Sequence, residues 1–509
     1  MEQNTTLTAQ VVVKNRSQWT NKHQNFTQRI ERLYDVWNPT SADLLSGMKA
    51  TVATLQSLIG EAVREGARLR ALGSGWSFSR VAVTDGRLVN TAPLNVVFRI
   101  SSTSVSHDYA GEQERLLFVQ CGTSLAELNQ YLATRQQSLT TSGASNGQTI
   151  VGAMSTGTHG SAIDVGAIQD HIVGLHLIVG PARQIWLERR SYPVVSDAFV
   201  QQISAELIRD DTLFNAALVS FGSFGFIHAV MIETVPIFLL EAHRQRMPLD
   251  SKLRRAIDTL DFSELPLPHG SERPYYFDVI INPHDLQNGV FVRTMYKRPY
   301  TQDHRRDADD DFVQLRPGDD LLAVLGVLSD ALPELIPGVM NALSESRLKE
   351  FSNKVGTLGE IFDNTSTRGK AAGAAMGVPL SFASKALDTV LAVHEAEGPF
   401  AGVFALRFVK RSQAALAFTR FDPTCVVDLD GVFSKRSTGF FRRVWTTFAE
   451  AHIPYTVHWG KINNLDAAQV RRMYESAVDQ WLASRRTLLD EASRRVFANS
   501  FLEHLDLAT

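Results

Sequence analysis

Two basic residues sit where a chain can hold a charge still. Lys461 ends the tetrad HWGK (458–461), at the close of the strand-like run YTVHWG (455–460) and before a helix, so its ammonium projects from a strand end, a common place for active groups. Arg407 stands on GVFALRFVK (402–410), where alternation puts Ala405, Arg407 and Val409 on one face and Phe404, Leu406 and Phe408 on the other. Cations fixed in this way stabilise negative charge that develops only as a reaction proceeds. Lysine is far more often a solvated surface group, so the surroundings of Lys461 decide its role.

Backbone is built for close approach in three places. RALGSGWSFS (70–79) follows a strand-like run; its glycines let several N–H groups converge on one anion, and its serines add hydroxyl donors. It lacks the third glycine of a Rossmann fingerprint and the Gly-Lys-Ser/Thr of a P-loop, and by itself it reads equally as a tight turn. GASNGQTIVGAMSTGTHG (143–160) carries glycine at 143, 147, 152, 157 and 160, a density expected to exclude both a helix and a central strand. FGSFGFI (221–227) opens a third glycine site. Three such segments in the first half of the chain suit an extended dinucleotide better than a lone phosphate.

The elements that would position these residues follow from periodicity. Val52, Leu55, Leu58, Ile59, Ala62 and Val63 recur at helical spacing before Gly66, and RLRAL then leads as a strand into the first glycine loop. Strand RLLFVQ (115–120) precedes LAELNQYLA, for which Ser124 and Glu127 have capping-box spacing. Such alternation implies an α/β or α+β domain. Beyond about residue 235, strands at 277–282, 289–298, 402–410, 425–432 and 455–460 and helices at 377–396 and 436–452 suggest an antiparallel sheet with helices on one face. The charged run 305–320 reads as a solvated loop or lid, and an amphipathic helix from about Asp466 to Leu489 is placed to pack back on the first domain.

With 509 residues, two or three compact units are expected. Lys+Arg 51 against Asp+Glu 54, well interspersed, leaves no basic footprint for nucleic acid or an anionic membrane. Small-molecule chemistry remains. No membrane span and no secretory signal are read, so a cytoplasmic location is the expectation. Cys121 and Cys425 read as buried thiols, and no metal site is expected.

RALGSGWSFS, QTIVGAMSTGTHGSA, GSFGFI and, much later, HWGKINN together resemble the vanillyl-alcohol-oxidase class of FAD-linked oxidases, in its sugar-1,4-lactone oxidase and alditol oxidase branch. The resemblance spans roughly 40–235, Arg407 and the segment from His458 to about Leu505; between 240 and 400 only the general texture matches. It implies an α+β chain: a two-subdomain FAD-binding domain (1–235), a substrate or cap domain with an antiparallel sheet covered by helices (236–457), and a C-terminal segment (458–509) returning to the FAD domain. By the same resemblance Leu72, Gly73, Ser74, Gly75, Trp76, Ser77 and Phe78 would cradle the pyrophosphate. Ser142, Gly143, Gly147, Gly152, Ala153 and Ser155, then Gly157, Thr158, His159, Gly160 and Ser161, would run along the flavin and pyrophosphate, with Ile227 on the adenine side. His159 is expected to be structural. Lys461 would lie near flavin N1 and the substrate oxygen, Arg407 would hold the substrate hydroxyl or carbonyl, and His458 would bond the flavin or set the loop.

The implied activity is hydride transfer from an alcohol carbon to FAD, with oxygen then reduced to hydrogen peroxide. The implied partners are a small alcohol or lactone and molecular oxygen. The other readings are a dehydrogenase using a quinone or cytochrome and a non-catalytic flavin-binding protein. Three departures stand out. Ala405 replaces the glutamate that the branch usually has two residues before the arginine, which points away from open-chain polyols toward a less hydroxylated or bulkier alcohol. Asp428, loosely aligned with a histidine of some relatives, reads as an edge-strand aspartate facing solvent. Trp76 replaces the histidine that bonds the flavin in many relatives; indole has no such nucleophilic nitrogen, so FAD is expected to be held non-covalently, with Trp76 packed on the flavin edge or the loop backbone.

Overall fold

The computed structural model describes residues 7–41, 43–306, 319–365 and 369–509. Two larger sheets and two two-stranded ribbons occupy the N-terminal half among the described residues. Strands Leu69–Leu72 and Arg32–Trp37 flank Arg87–Asn90 in parallel, and Gln10–Lys14 adds antiparallel to Arg32–Trp37. Against them lies helix Leu44–Glu65, capped by the Asp43 carboxylate, which accepts from the N–H groups of Leu45 and Ser46. It stops at Gly66, whose φ of 64° is the left-handed conformation that glycine supplies cheaply. Its apolar stripe, including Val52, Leu55 and Ile59, is buried. The second sheet has six strands centred on Ile172–Ile178 and Phe226–Glu233, which are buried almost throughout because helices and loops cover both faces.

The capping box at Ser124 and Glu127 forms as the spacing predicts. The glycine-rich stretch 143–160 does not stay irregular: Ile150–Thr156 is a short helix, capped by the Thr149 hydroxyl and ended by Gly157 at φ 80°. Its glycines do not break it because Gly157 is the stop itself and Gly152 alone lies inside.

The C-terminal half is built on one eight-stranded antiparallel sheet, in the order 351–357, 238–247, 290–299, 276–281, 402–409, 424–432, 371–379, 456–457. Helices Ser251–Thr259, Ala383–Glu397 and Lys435–Glu450 bury one face through Leu253, Leu387, Phe404, Leu406, Phe441 and Val444. Contrary to the one-sided expectation, a second helical layer, Asp319–Ala331 with Ile336–Arg347, covers one end of the opposite face.

Other elements shift as well. Residues 371–379, AAGAAMGVP, form a strand rather than the start of a helix. A Cβ on Gly373 would sit 3.0 Å from Asp430 Oδ1, and one on Gly377 would sit 2.8 Å from Phe418 O, so tertiary packing selects thin residues and overrides local propensity. Only Thr456–Val457 of the run 455–460 pairs as strand. The last long helix divides at Glu475 into Ala467–Tyr474 and Ser476–Leu488, and it does pack on the N-terminal half: Trp481 Nε1 donates to Val219 O at 3.1 Å and Arg485 Nε to Ser223 O at 3.0 Å. Residues 307–318 of the expected charged lid lie outside the described residues.

Ser161 stitches the halves together. Its hydroxyl donates to Phe277 O and accepts from Phe408 N at 2.8 Å, and Phe277 N donates to its carbonyl at 3.1 Å. Removing that hydroxyl leaves Phe408 N–H buried without a partner, which costs about 1–3 kcal/mol. Ser161→Ala is therefore expected to lower the thermal midpoint by several degrees while the protein still folds; an unchanged midpoint would remove the stitch from the account.

Candidate active site

The pocket-facing side of the eight-stranded sheet carries a row of paired charges. Asp428, fully buried, lies between two cations: its Oδ1 is 2.5 Å from Lys461 Nζ and its Oδ2 is 3.2 Å from Arg407 Nη1. Lys461 also donates to Asp430 Oδ1 at 2.9 Å. Beyond Arg407, the buried Asp278 and Arg293 form a bidentate pair. Strand register sets this geometry: Asp278 pairs with Arg407, Ala405 with Asp428, and Val403 with Asp430. The alternation read on 402–410 holds, since Val403, Ala405 and Arg407 line the cavity while Phe404, Leu406 and Phe408 enter the helix-covered core.

Asp428 is no edge residue, because Thr424–Val432 lies between two neighbours in the sheet. Burial would raise its carboxyl, and the Lys461 and Arg407 charges outweigh burial and hold it well below the usual carboxylate range. For Lys461 and Arg407, burial acts downward and Asp428 upward; the carboxylate wins, so both titrate above their ordinary values. Both stay charged at neutral pH. Lys461 has spent two of its three donors on Asp428 and Asp430, and Arg407 Nε is buried without a partner.

The turn that presents Lys461 is fixed locally. Gly460 N–H donates to His458 Nδ1 at 3.0 Å, and Lys461 N–H to His458 O at 3.1 Å. The same turn is tied to the first glycine loop, because Phe78 N–H donates to Gly460 O at 2.7 Å and the Ser79 hydroxyl to Trp459 O at 2.6 Å. His458 thus sets the Lys461 turn, and burial holds its imidazole neutral, well below the ordinary value. His159 Nδ1–H donates to Gly160 O at 2.9 Å, and burial lowers this ring to about 4.

An N-terminal hairpin that the sequence reading passed over clamps the loop from the other side. Strands Gln18–Thr20 and Thr27–Arg29 project residues 21–26 across it: Lys22 N–H donates to Gly75 O at 2.9 Å, Asn21 Nδ2 to Ser77 O at 3.0 Å and Asn25 Nδ2 to Phe78 O at 2.8 Å. His23 stacks on Phe78 at 4.1 Å and meets Trp76 edge-on at 5.5 Å. The only sequence signal was the aromatic spacing in QWTNKHQNF (18–26), which matches no motif. Trp76 itself lines the cavity, with Lys22 Nζ 3.9 Å from its ring and its edge laid on Gly147, where a Cβ would come within 2.4 Å of Cζ2.

One cavity joins these parts. Leu72 to Phe78, Gly143, Gly152, Ser155, Thr158, His159, Ile227, Arg407, His458 and Lys461 all line it. Ser142, Gly147, Ala153, Gly157, Gly160 and Ser161 do not; they stand behind the wall, as Ser142 does when its hydroxyl bonds Asn146 Oδ1 at 2.6 Å. The wall fits an extended polar ligand such as FAD: the glycines and serines of residues 73–77 line it, and Trp76, Gln148 and Ser155, which line it too, each carry a buried polar atom without a partner, which native interiors seldom leave.

Comparison with known proteins gives the class first. Residues 49–187 match the FAD binding domain family, so the chain carries an FAD-binding domain and is an FAD-linked oxidoreductase. Its relatives lie in the sugar-lactone branch that its motifs resemble. An L-gulono-1,4-lactone dehydrogenase of Mycobacterium tuberculosis is 26% identical over 87% of this chain and 94% of its own length. A D-arabinono-1,4-lactone oxidase of Debaryomyces hansenii is 26% identical over 40% of this chain and 34% of its own. In fold the chain is similar to the crystal structure of cholesterol oxidase from B. sterolicum, with a TM-score of 0.72, 97% of each chain covered and 14% identity.

Burial of neutral histidines dictates an acid response. His23, His159, His171 and His176 are each lowered to about 4, and His228 and His458 lie well below the ordinary value, in every case chiefly by desolvation. Between pH 6.5 and 4 the unfolded chain therefore binds more protons, and each such histidine removes about 1.4 kcal/mol of stability per pH unit as pH falls. Asp170, raised to about 6 by burial, opposes this as a single group. Stability is expected to drop steeply from pH 6.5 to 4 and to stay nearly level from 6.5 to 8 in denaturant titrations; a flat profile down to pH 4 would contradict the burial of these rings.

Proposed function

We propose that the protein is an FAD-dependent oxidase acting on the CH–OH carbon of a sugar lactone, polyol or related alcohol. The observation that carries the reading is a buried guanidinium, Arg407, with an unpartnered Nε beside a lysine with one donor to spare, on the wall shared with the glycine loops. FAD, when bound, supplies the hydride acceptor, so the carbinol loses two electrons and two hydrogens to become a carbonyl, and oxygen takes up the same complement to give hydrogen peroxide.

Leu72 to Phe78, Gly143, Gly152, Ser155, Thr158 and His159 hold FAD, with Ile227 at its adenine end. Residues 1–235 thus supply the cofactor site, 236–457 the substrate face, and 458–509 brings Lys461 between them. Arg407 and Lys461 donate to the substrate oxygen and favour its negative character as the hydroxyl proton leaves. Asp428 lies beneath both cations and does not line the cavity. It is a positioning residue, keeping two charges fixed that would otherwise repel or turn away. FAD is bound without a covalent link, because Trp76 offers no nucleophilic nitrogen.

A second reading, a dehydrogenase with another electron acceptor, draws support from the relative that matches most of the chain, which is itself a dehydrogenase. Anaerobic reduction by an alcohol followed by mixing with air decides between them: rapid reoxidation with peroxide release is the oxidase result, and reoxidation no faster than free reduced flavin the dehydrogenase result.

Lys461→Met is expected to slow anaerobic flavin reduction by about 10²- to 10³-fold, as loss of one fixed donor does. Asp428→Asn should slow the same step with FAD still bound, and rates unchanged in both variants would overturn the assignment. Acid precipitation is expected to release the yellow colour into the supernatant; colour retained by the pellet would refute non-covalent binding and direct attention to His23 on the same wall.

A further inference from the structure

The cavity does not end at the charged row. Along Thr424–Val432 the positions on the pocket side of the sheet read Asp428, covered by its cations, then Asp430 and Val432, and along Gly402–Val409 they read Arg407, Ala405, Val403. Charge gives way to apolar surface in the same direction on both strands. Ile280 stands across from Ala405, whose small side chain adds no bulk to the floor. Over this end lies the helix pair Asp319–Ala331 and Ile336–Arg347, which turns Leu322, Leu325 and Met340 toward Val403 and Val432. Among the described residues of these strands and helices that line the cavity, polar side chains are confined to the charged row and to Arg347, which is exposed.

We infer that the substrate is an alcohol carried on an apolar body: its carbinol meets Lys461 and Arg407, and its body lodges between the sheet end and the helix pair. The inference rests on the reading of the site as an alcohol-oxidising one. A sugar lactone or open polyol bears several hydroxyls, and a buried hydroxyl needs a partner. Beyond the charged row the chamber walls offer only Arg347, at their exposed edge, so such a substrate leaves most of its hydroxyls unpaired. Apolar walls instead reward each buried methylene, by roughly fourfold in affinity.

The test uses the FAD-loaded enzyme and follows anaerobic bleaching with four alcohols: cyclohexanol, 4-tert-butylcyclohexanol, xylitol and L-gulono-1,4-lactone. The butyl-substituted ring is expected to bleach the flavin at a concentration at least ~10-fold below that needed for cyclohexanol, with xylitol and the lactone poorer than either. If the lactone or xylitol acts at the lowest concentration, the apolar chamber is not the substrate site and the inference fails, while the reading as an alcohol oxidoreductase stands. If none of the four bleaches a flavin that dithionite reduces fully, that reading and the inference fall together. Val403→Thr keeps the side-chain shape but buries a hydroxyl without a partner, so its thermal midpoint should fall by a few degrees; in the folded, flavin-loaded variant KM for the butyl-substituted ring should rise by roughly 3- to 10-fold, with KM for cyclohexanol little changed. An unchanged KM overturns the placement.

Discussion

Everything in the site depends on Asp428 being dry. A carboxylate with no solvent exposure is tolerable only when its charge is met at contact distance, and Lys461 and Arg407 meet it from two sides. Each cation in turn is kept charged by that carboxylate against the pull of burial. Removing either partner would leave charge uncompensated in a low-dielectric wall, a cost of about 3–5 kcal/mol in buried pairs. The three side chains come from three chain segments, so the network fixes two sheet strands and the C-terminal turn relative to one another.

The backbone has to make room for that arrangement. Gly373 lies beside Asp430 and Phe78, and a side chain there would press on Asp430 Oδ1. The Lys461 turn then docks on the first glycine loop through Phe78 and Ser79, and the N-terminal hairpin closes the same loop from outside. Residues near 22, 78 and 460 thus share one junction although the last lies hundreds of positions from the other two. The glycine loop and the Lys461 turn are positioned by the same hydrogen bonds, so a change in one is transmitted to the other.

What could be read from sequence was whatever is local. The capping box at Ser124, the stop at Gly66, the strand leading into GSGWS and the alternation around Arg407 depend on neighbours a few residues apart, and they hold. Asp428 was misread because its burial depends on which strands flank Thr424–Val432, information that periodicity does not carry. The strand 371–379 was missed for a related reason: its alanines and glycines favour no strand by propensity and are chosen by crowding from Asp430 and Phe418. The hairpin around His23 has no motif, and its role is visible only where its polar side chains reach the loop carbonyls. The helix pair over the chamber has an ordinary apolar pattern; that it covers the site rather than the core face is a fact of topology.

The charges in the row also balance. Lys461, Arg407 and Arg293 face Asp428, Asp430 and Asp278, so the site is formally neutral as a set, within a chain whose net charge is only −3. At contact distance a bound oxygen meets N–H donors, and these favour negative charge wherever they touch it. At longer range the carboxylates behind them cancel the field, so the cavity exerts little attraction on a distant anion. A site built to capture carboxylates or phosphates from solution would leave its cations unpaired toward the mouth. This one pairs its cations with its own aspartates, leaving Lys461 one donor and Arg407 its Nε. That arrangement agrees with the proposal of a neutral alcohol, which would be drawn in by burial of apolar surface and would acquire negative charge only as its hydroxyl proton leaves beside Lys461 and Arg407.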